Sequence, residues 1–237
     1  MFYLLCKGGE ILKNYLIFKE FNTLNYALIE ELPVVGKAEE NKEFIEVDGR
    51  NGFLTFDRDS YKPIDYSVNM VVNGKEKRDI IKNAFRGSGD LVLSNNDNCY
   101  YKGVISSPIV FERQIREVFS FEVSFKLQPF GYVKNVKDVT IVLPTTITNN
   151  YNAKSQPYIK VYGTGSGNLY VNDETITFTT IDEFVELDCE LEECYKGSTN
   201  CNKNMIGDFV TLVEGDNTIG FDGKITKVII NPRWRTL

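Results

Sequence analysis

Residues 118–130 read VFSFEVSFKLQPF, and their alternation decides the fold class. Phe119, Phe121, Val123, Phe125 and Leu127 occupy one side, while Ser120, Glu122, Ser124, Lys126 and Gln128 occupy the other. Successive side chains of a strand point to opposite faces of a sheet, so a strict period of two marks a half-buried strand. Pro129 has no backbone donor for a ladder and is expected to end the strand. The run Pro129-Phe130-Gly131-Tyr132 lies close to mid-chain, so the strand reads as the last of one domain and the entry to the next.

Strand signals dominate on both sides of this run. Glu43–Val47 and Phe53–Phe56 flank DGRNG (48–52), where Asp-Gly and Asn-Gly supply the positive φ of hairpin turns. Val68–Val72 leads into Asn73-Gly74, another such turn. EKRDIIKNAFRGSG (76–89) predicts one short helix near 76–86, with Ile80, Ile81, Ala84 and Phe85 on one face and Gly87 capping the end. Strands follow at 91–94 and 100–106 around the polar turn Asn95–Asn98.

Beyond Tyr132 short strands recur at about ten residues, the rhythm of a β-sandwich. They are expected at Val139–Leu143, Tyr158–Tyr162, Leu169–Val171, Thr175–Thr179, Val185–Leu191, Phe209–Val213 and Ile225–Ile230. The turns between them are expected at 163–168, Asn172-Asp173, Asp216-Asn217 and Asp222-Gly223. The chain therefore divides into residues 1–130, β with one helix, and residues 131–237, a β-sandwich. With no flexible linker at the junction, a rigid connection is expected. Ile225–Ile230 is apolar on both faces and belongs in the middle of a sheet. Pro232 ends it, and the tail 231–237 is expected to fold back on the domain junction so as to bury Trp234.

Composition narrows function. A chain of 237 residues with 42% hydrophobic and 25% charged residues is that of a soluble globular protein. No run reaches the eighteen or so apolar residues of a membrane span. The start MFYLLCKGGE lacks the basic region of a signal peptide, so export by that route is not expected. There is no histidine, which removes the commonest general base, the usual zinc ligand and every Ser-His or Cys-His pair. A net charge of −6 argues against a nucleic-acid-binding protein, since phosphate neutralisation needs clustered Lys and Arg. The balance leans toward binding or scaffolding, with no cofactor and no catalytic or metal site.

Individual motifs bear this out. Cys6, Cys99, Cys189, Cys194 and Cys201 match no common zinc spacing. They read as free structural thiols, with a Cys194–Cys201 loop disulfide as the alternative outside a cell. Gly163, Gly165 and Gly167 form GxGxG without the helix or Lys-Ser/Thr of a phosphate loop, and read as a hairpin turn. Glu186, Asp188 and Glu190, with Glu192 and Glu193 beyond, are spaced about 7 Å apart along one strand face, a distance that a glycosidase could use. Their simpler reading is the solvated side of an edge or outer strand. Asn172-Asp173-Glu174 reads as a turn in preference to a calcium site. Tyr158, Tyr162, Tyr170 and Trp234 could form a sugar-stacking platform, with Tyr158, Lys160 and Tyr162 on one strand face, and an interface between subunits explains them equally well.

Taken in order, these residues resemble the distal tail (Dit) proteins of long-tailed, non-contractile bacteriophages. Asp48-Gly49-Arg50-Asn51-Gly52 followed by Phe53-Leu54 is similar to that family's hairpin, and the helix at 76–86 with Tyr100-Tyr101-Lys102 falls where its helix and next strand would. Phe121, Val123, Phe125, Pro129, Phe130 and Tyr132 match the end of its mid-chain strand. Gly215-Asp216-Asn217-Thr218-Ile219 and Pro232-Arg233-Trp234-Arg235 resemble its closing segments. The resemblance implies a structural protein of the virion, made in the host bacterial cytoplasm. Its N-terminal β domain would assemble six copies into a ring that continues the tail tube. Its C-terminal galectin-like or carbohydrate-module-like sandwich would carry receptor-binding or fibre proteins. The implied partners are further copies of itself, the tube protein, a tail-associated lysin or tip protein, and the fibres. Recognition of cell-wall carbohydrate by the sandwich is the competing function.

Overall fold

The computed structural model describes residues 6–7, 10–11 and 13–237, with side chains from Lys13 onward. The apolar start at Met1–Leu5 and the thiol of Cys6 lie outside the described residues. The chain is mainly β and divides into two compact units, residues 1–131 with Leu237, and residues 132–236.

The first unit opens with the short strands β1 (Cys6–Lys7), β2 (Glu10–Ile11), β3 (Leu16–Phe18) and β4 (Phe21–Asn22). The hairpin β5 (Glu40–Glu46) and β6 (Phe53–Tyr61) follows, then β7 (Ile64–Asn73), α1 (Lys75–Ala84), β8 (Ser88–Leu93), β9 (Asn96–Ile105), β10 (Phe111–Ile115) and β11 (Val118–Val133). β11 is the strand of the alternating run. Its Phe119, Phe121, Val123, Phe125 and Leu127 are all buried, and it pairs antiparallel with β7 from Val118↔Asn73 to Leu127↔Ile64. β10 pairs with it over Phe111↔Phe121. Pro129 does not end the strand, which runs on to Val133. The pairing with β7 finishes at Leu127, so the position of Pro129 needs no donor on that side.

α1 presses Ile81 onto the core that contains Phe18, Phe125 and Phe85. Ile80, expected on the buried face, is instead 44% exposed, because a ten-residue helix presents only one narrow stripe to the sheet. The turn 47–52 sits where DGRNG places it, with Gly49 and Gly52 at φ of 79° and 85°.

The second unit contains β12 (Val139–Ile141), β13 (Thr145–Asn149), β14 (Tyr158–Val171), β15 (Glu174–Asp188), β16 (Glu193–Lys196), β17 (Thr199–Asn200), β18 (Met205–Ile206), β19 (Gly215–Phe221), β20 (Ile225–Asn231) and β21 (Arg235–Thr236). Two long strands replace the four short ones expected, for β14 and β15 each serve both layers. The first half of β14 pairs with β20 through Ile159↔Ile230 and Val161↔Val228, while the far end of β14 pairs with β19 through Leu169↔Phe221. Residues from both layers meet in one core that includes Ile159, Val161, Leu169, Phe178, Leu187 and Val228.

The glycines of GxGxG lie inside β14, and not in a hairpin turn. The ladder with β15 shifts register between Gly165 and Gly167, and Gly165 has φ +113°. A Cβ on Gly163 would stand 2.4 Å from the carbonyl oxygen of Lys224, and one on Gly167 would stand 2.7 Å from that of Asp222. The glycines thus bend the strand from one layer to the other and let the β19–β20 turn rest against it.

The segment Phe209–Val213, expected as a strand, forms a single bridge, Ser155↔Leu212, with Val210 and Leu212 fully buried. The strand is instead Gly215–Phe221, where a turn was expected at Asp216-Asn217. Asn217 explains the exchange. It is fully buried, accepts from the amide of Val213 at 2.8 Å, and donates to the carbonyls of Val213 and Gly215 at 2.9 and 3.0 Å. Its side chain does for this irregular stretch what a ladder would do for a strand. β20 lies between β12 and β14, as its doubly apolar sequence requires.

Candidate interaction surfaces

Glu186 and Asp188 on β15 are neither solvated nor on an edge. The strand runs between β14 and β16, so alternate residues on its outer face are walled in by neighbouring side chains. The Asp188 side chain is 8% exposed and is gripped by both terminal nitrogens of Arg233, at 2.7 and 2.8 Å. Its Oδ1 also accepts from the amides of Glu190 and Leu191 at 3.1 and 3.2 Å. The Arg233 hydrogen bonds and these amides outweigh desolvation and hold the Asp188 carboxyl below its ordinary range. Glu190 lies past the end of the strand, with one carboxylate oxygen 3.6 Å from Arg233.

Glu186 accepts from the Tyr158 hydroxyl at 2.5 Å and from the Gly197 amide at 3.0 Å, and lies 3.4 Å from Lys160. Desolvation opposes its charge, but these donors outweigh it and lower its pKa. Burial, followed by the Glu186 carboxylate, pushes the Tyr158 hydroxyl up. Both acids are therefore ionised and saturated with donors, whereas a general acid needs a raised pKa and a proton to give.

Around them lies an aromatic and cationic face. Tyr158, Lys160 and Tyr162 on β14 share it with Phe184, which is directly opposite Tyr162, and with Tyr195, opposite Glu186. Tyr162 and Phe184 have ring centroids 6.0 Å apart. The Lys160 ammonium sits 3.7 Å from the Phe184 centroid and that of Lys227 sits 4.1 Å from the Tyr162 centroid. Phe184 and Tyr195 were missed from sequence, although alternation back from Val185 and Leu187 puts Phe184 on the outer face. Of the four aromatics that could form a platform, Tyr158 and Tyr162 share this face of β14. The Tyr170 hydroxyl is instead tied to Asp222 at 2.8 Å, and Trp234 packs against the core of this unit. The Trp234 carbonyl accepts from the Val133 amide at 2.9 Å. Asn172 occupies a turn at φ 54° and donates to Asn217 at 3.0 Å, a structural task.

The first unit has two further surfaces. The β5–β6 hairpin pairs with no other strand among the described residues, and it carries exposed apolar side chains. Phe44, Phe53 and Phe56 are 62%, 58% and 56% exposed, and Ile45, Val47 and Leu54 are exposed beside them. Phe44 and Phe53 stack edge to face at 4.8 Å, which still leaves most of each ring in water. A patch of this kind marks an interaction site, because a two-stranded hairpin has no core of its own. The second surface is a groove of about 890 Å³ over the outer face of β7 and β11. Leu28, Pro33, Val71 and Val110 line it together with Glu30, Glu31, Glu112 and Glu122.

No protein-family model matches the sequence, and no curated protein matches it. One solved structure that does match is the Dit protein of phage SPP1, described as a paradigm of the hub adsorption apparatus in phages that infect Gram-positive bacteria. The likeness has a TM-score of 0.76 at 12% identity and covers 94% of this chain and 99% of that chain. The chain has the fold of a distal tail protein. The likeness extends over both compact units, and the resemblance carried by Asp48–Gly52, Phe121–Tyr132 and Pro232–Arg235 leads to the same fold.

Proposed function

We propose that this protein is a structural component of a phage tail tip. It forms a hexameric ring through its first unit and joins the tail tube to the adsorption apparatus. The observation that carries the reading is the exposed apolar hairpin β5–β6 in a chain with a distal-tail fold. A closed ring needs two different, complementary patches on each subunit. The hairpin supplies one, and the groove over β7 and β11, with apolar side chains beside carboxylates, is a second and different patch on the same unit. In this reading the second unit carries the fibres or receptor-binding proteins, the tube protein and a tail-associated lysin contact the ring, and the chain acts without catalysis.

Complementation tests it. Phe44→Ser with Phe56→Ser changes only exposed side chains, so the protein should keep its circular dichroism while failing to enter tails of a phage lacking the natural chain. Tails that incorporate the double variant as well as the parent would overturn the reading.

A second reading is favoured by the Tyr158, Tyr162, Phe184 and Tyr195 face, since aromatic planes beside hydrogen-bonding groups suit sugar rings. Binding of cell-wall glycan that Tyr162→Ala abolishes, without loss of folding, would support it. Absence of binding to any fraction of the host wall would exclude it.

A further inference from the structure

The β16–β17 hairpin sets two thiols opposite one another. Its register runs Lys196↔Thr199 and Tyr195↔Asn200, so the next pair is Cys194 and Cys201. The Cys201 amide donates to the Cys194 carbonyl at 2.8 Å, which continues that register by one step. Cys194 is part of the core of its unit and Cys201 packs against the same core, so both side chains lie on one side of the ladder. A directly opposed, hydrogen-bonded antiparallel pair has its Cα atoms about 5.5 Å apart, within the roughly 4.4–6.8 Å that a disulfide spans. The return ladder bond is not made at this pair. The Cys194 amide donates instead to Asn202 Oδ1 at 2.7 Å, so the two backbones can draw together without breaking it.

We propose that Cys194 and Cys201 are a cross-strand thiol pair, oxidised to an intrachain disulfide when the folded protein meets a small-molecule disulfide such as oxidised glutathione. The half-exposed Cys201 attacks first. Its thiolate displaces one glutathione thiolate and forms a mixed disulfide. Cys194 Sγ then attacks Cys201 Sγ, gives its proton to water, and expels the second glutathione as a thiolate that takes up a proton. Two protein thiols are oxidised and one glutathione disulfide is reduced to two thiols. Burial pushes the Cys194 thiol up to about 12, so the second step is the slow one. The other described cysteines are placed differently. Cys189 is buried with its amide bonded to Pro157, and Cys99 is buried in the first unit. The bridge would lock the hairpin that supplies Tyr195 and the Gly197 amide on Glu186, and so stiffen one rim of the aromatic face.

The test uses the full chain, purified reduced and then incubated with oxidised glutathione at neutral pH. Intact mass should fall by about 2 Da, the mass of two hydrogens, with peptide mapping joining Cys194 to Cys201. Thiols titrated in denaturant should fall from five to three, two being consumed in one bridge. Cys194→Ser should keep one glutathione on Cys201, and Cys201→Ser, a change at a half-exposed site, should show no mass loss. The oxidised protein should melt several degrees above the reduced form. A mass unchanged by oxidant while the fold persists would overturn the proposal, as would a bridge mapped to Cys6, Cys99, Cys189 or a second chain.

Discussion

Replacing Asp188 by Asn should destabilise the second unit by about 2–3 kcal/mol at neutral pH, and the loss should vanish in acid. The substitution keeps the shape of the side chain and one oxygen for the amides of Glu190 and Leu191. It turns an NH2 donor toward the guanidinium of Arg233 and removes the charge that balances it. Removing one partner of a fully buried pair costs about 3–5 kcal/mol. Arg233 is 29% exposed and keeps Glu190 at 3.6 Å, which brings the expectation below that range. For a unit of this size the melting temperature should fall by roughly 10–20 °C. The folded-state pKa of Asp188 is lowered by Arg233, so the folded chain takes up this proton less readily than the unfolded chain. The stabilisation is complete above the unfolded pKa of about 3.9 and is lost as pH falls through the lower folded value. The gap between parent and variant should therefore begin to close below about pH 4 and disappear only below the lower folded-state value. Urea unfolding followed by the emission of Trp234, the sole tryptophan, reports this unit directly. A loss below about 0.5 kcal/mol, or one of equal size at pH 7 and pH 3, would refute the reasoning.

Two further substitutions probe the second unit by the same urea assay. Gly163→Ala puts a Cβ 2.4 Å from the Lys224 carbonyl oxygen, which is backbone and cannot swing aside, so a loss of about 1–3 kcal/mol is expected. An unchanged midpoint would show that the β19–β20 turn does not rest on β14. Asn217→Ala leaves the Val213 amide and the carbonyls of Val213 and Gly215 without their side-chain partner, and should cost about 2–4 kcal/mol. Retention of full stability would mean that water replaces the amide there.

The elements that sequence revealed are those whose partners lie close along the chain or whose periodicity is unbroken. β11 declared itself because one of its faces is buried along ten paired residues, and the turn at 48–52 because Gly49 and Gly52 need positive φ. The mainly β fold with one short helix followed from these. The continuity of β14 and β15 was hidden, because the glycines that bend β14 look the same in sequence as those of a turn. Asn217 was hidden for a related reason. An asparagine beside Asp216 and Gly215 reads as turn chemistry, and nothing local says that its amide is buried against Val213. Glu186 and Asp188 were read as solvated because alternation finds the outer face of a strand but not what covers it. The cover comes from Tyr158 and Arg233, 28 and 45 residues away. The exposed hairpin was legible as a hairpin, but its exposure depends on no other described strand pairing with it, which no local pattern encodes.

We propose that this protein forms a ring at the distal end of a phage tail. Single-particle electron microscopy of tails assembled with this protein tests it most directly. The expected image is six copies in a closed ring that continues the tube, with the β5–β6 hairpin of each copy seated on its neighbour. A tail whose tip lacks this chain, or a particle that carries it elsewhere, would rule the ring out.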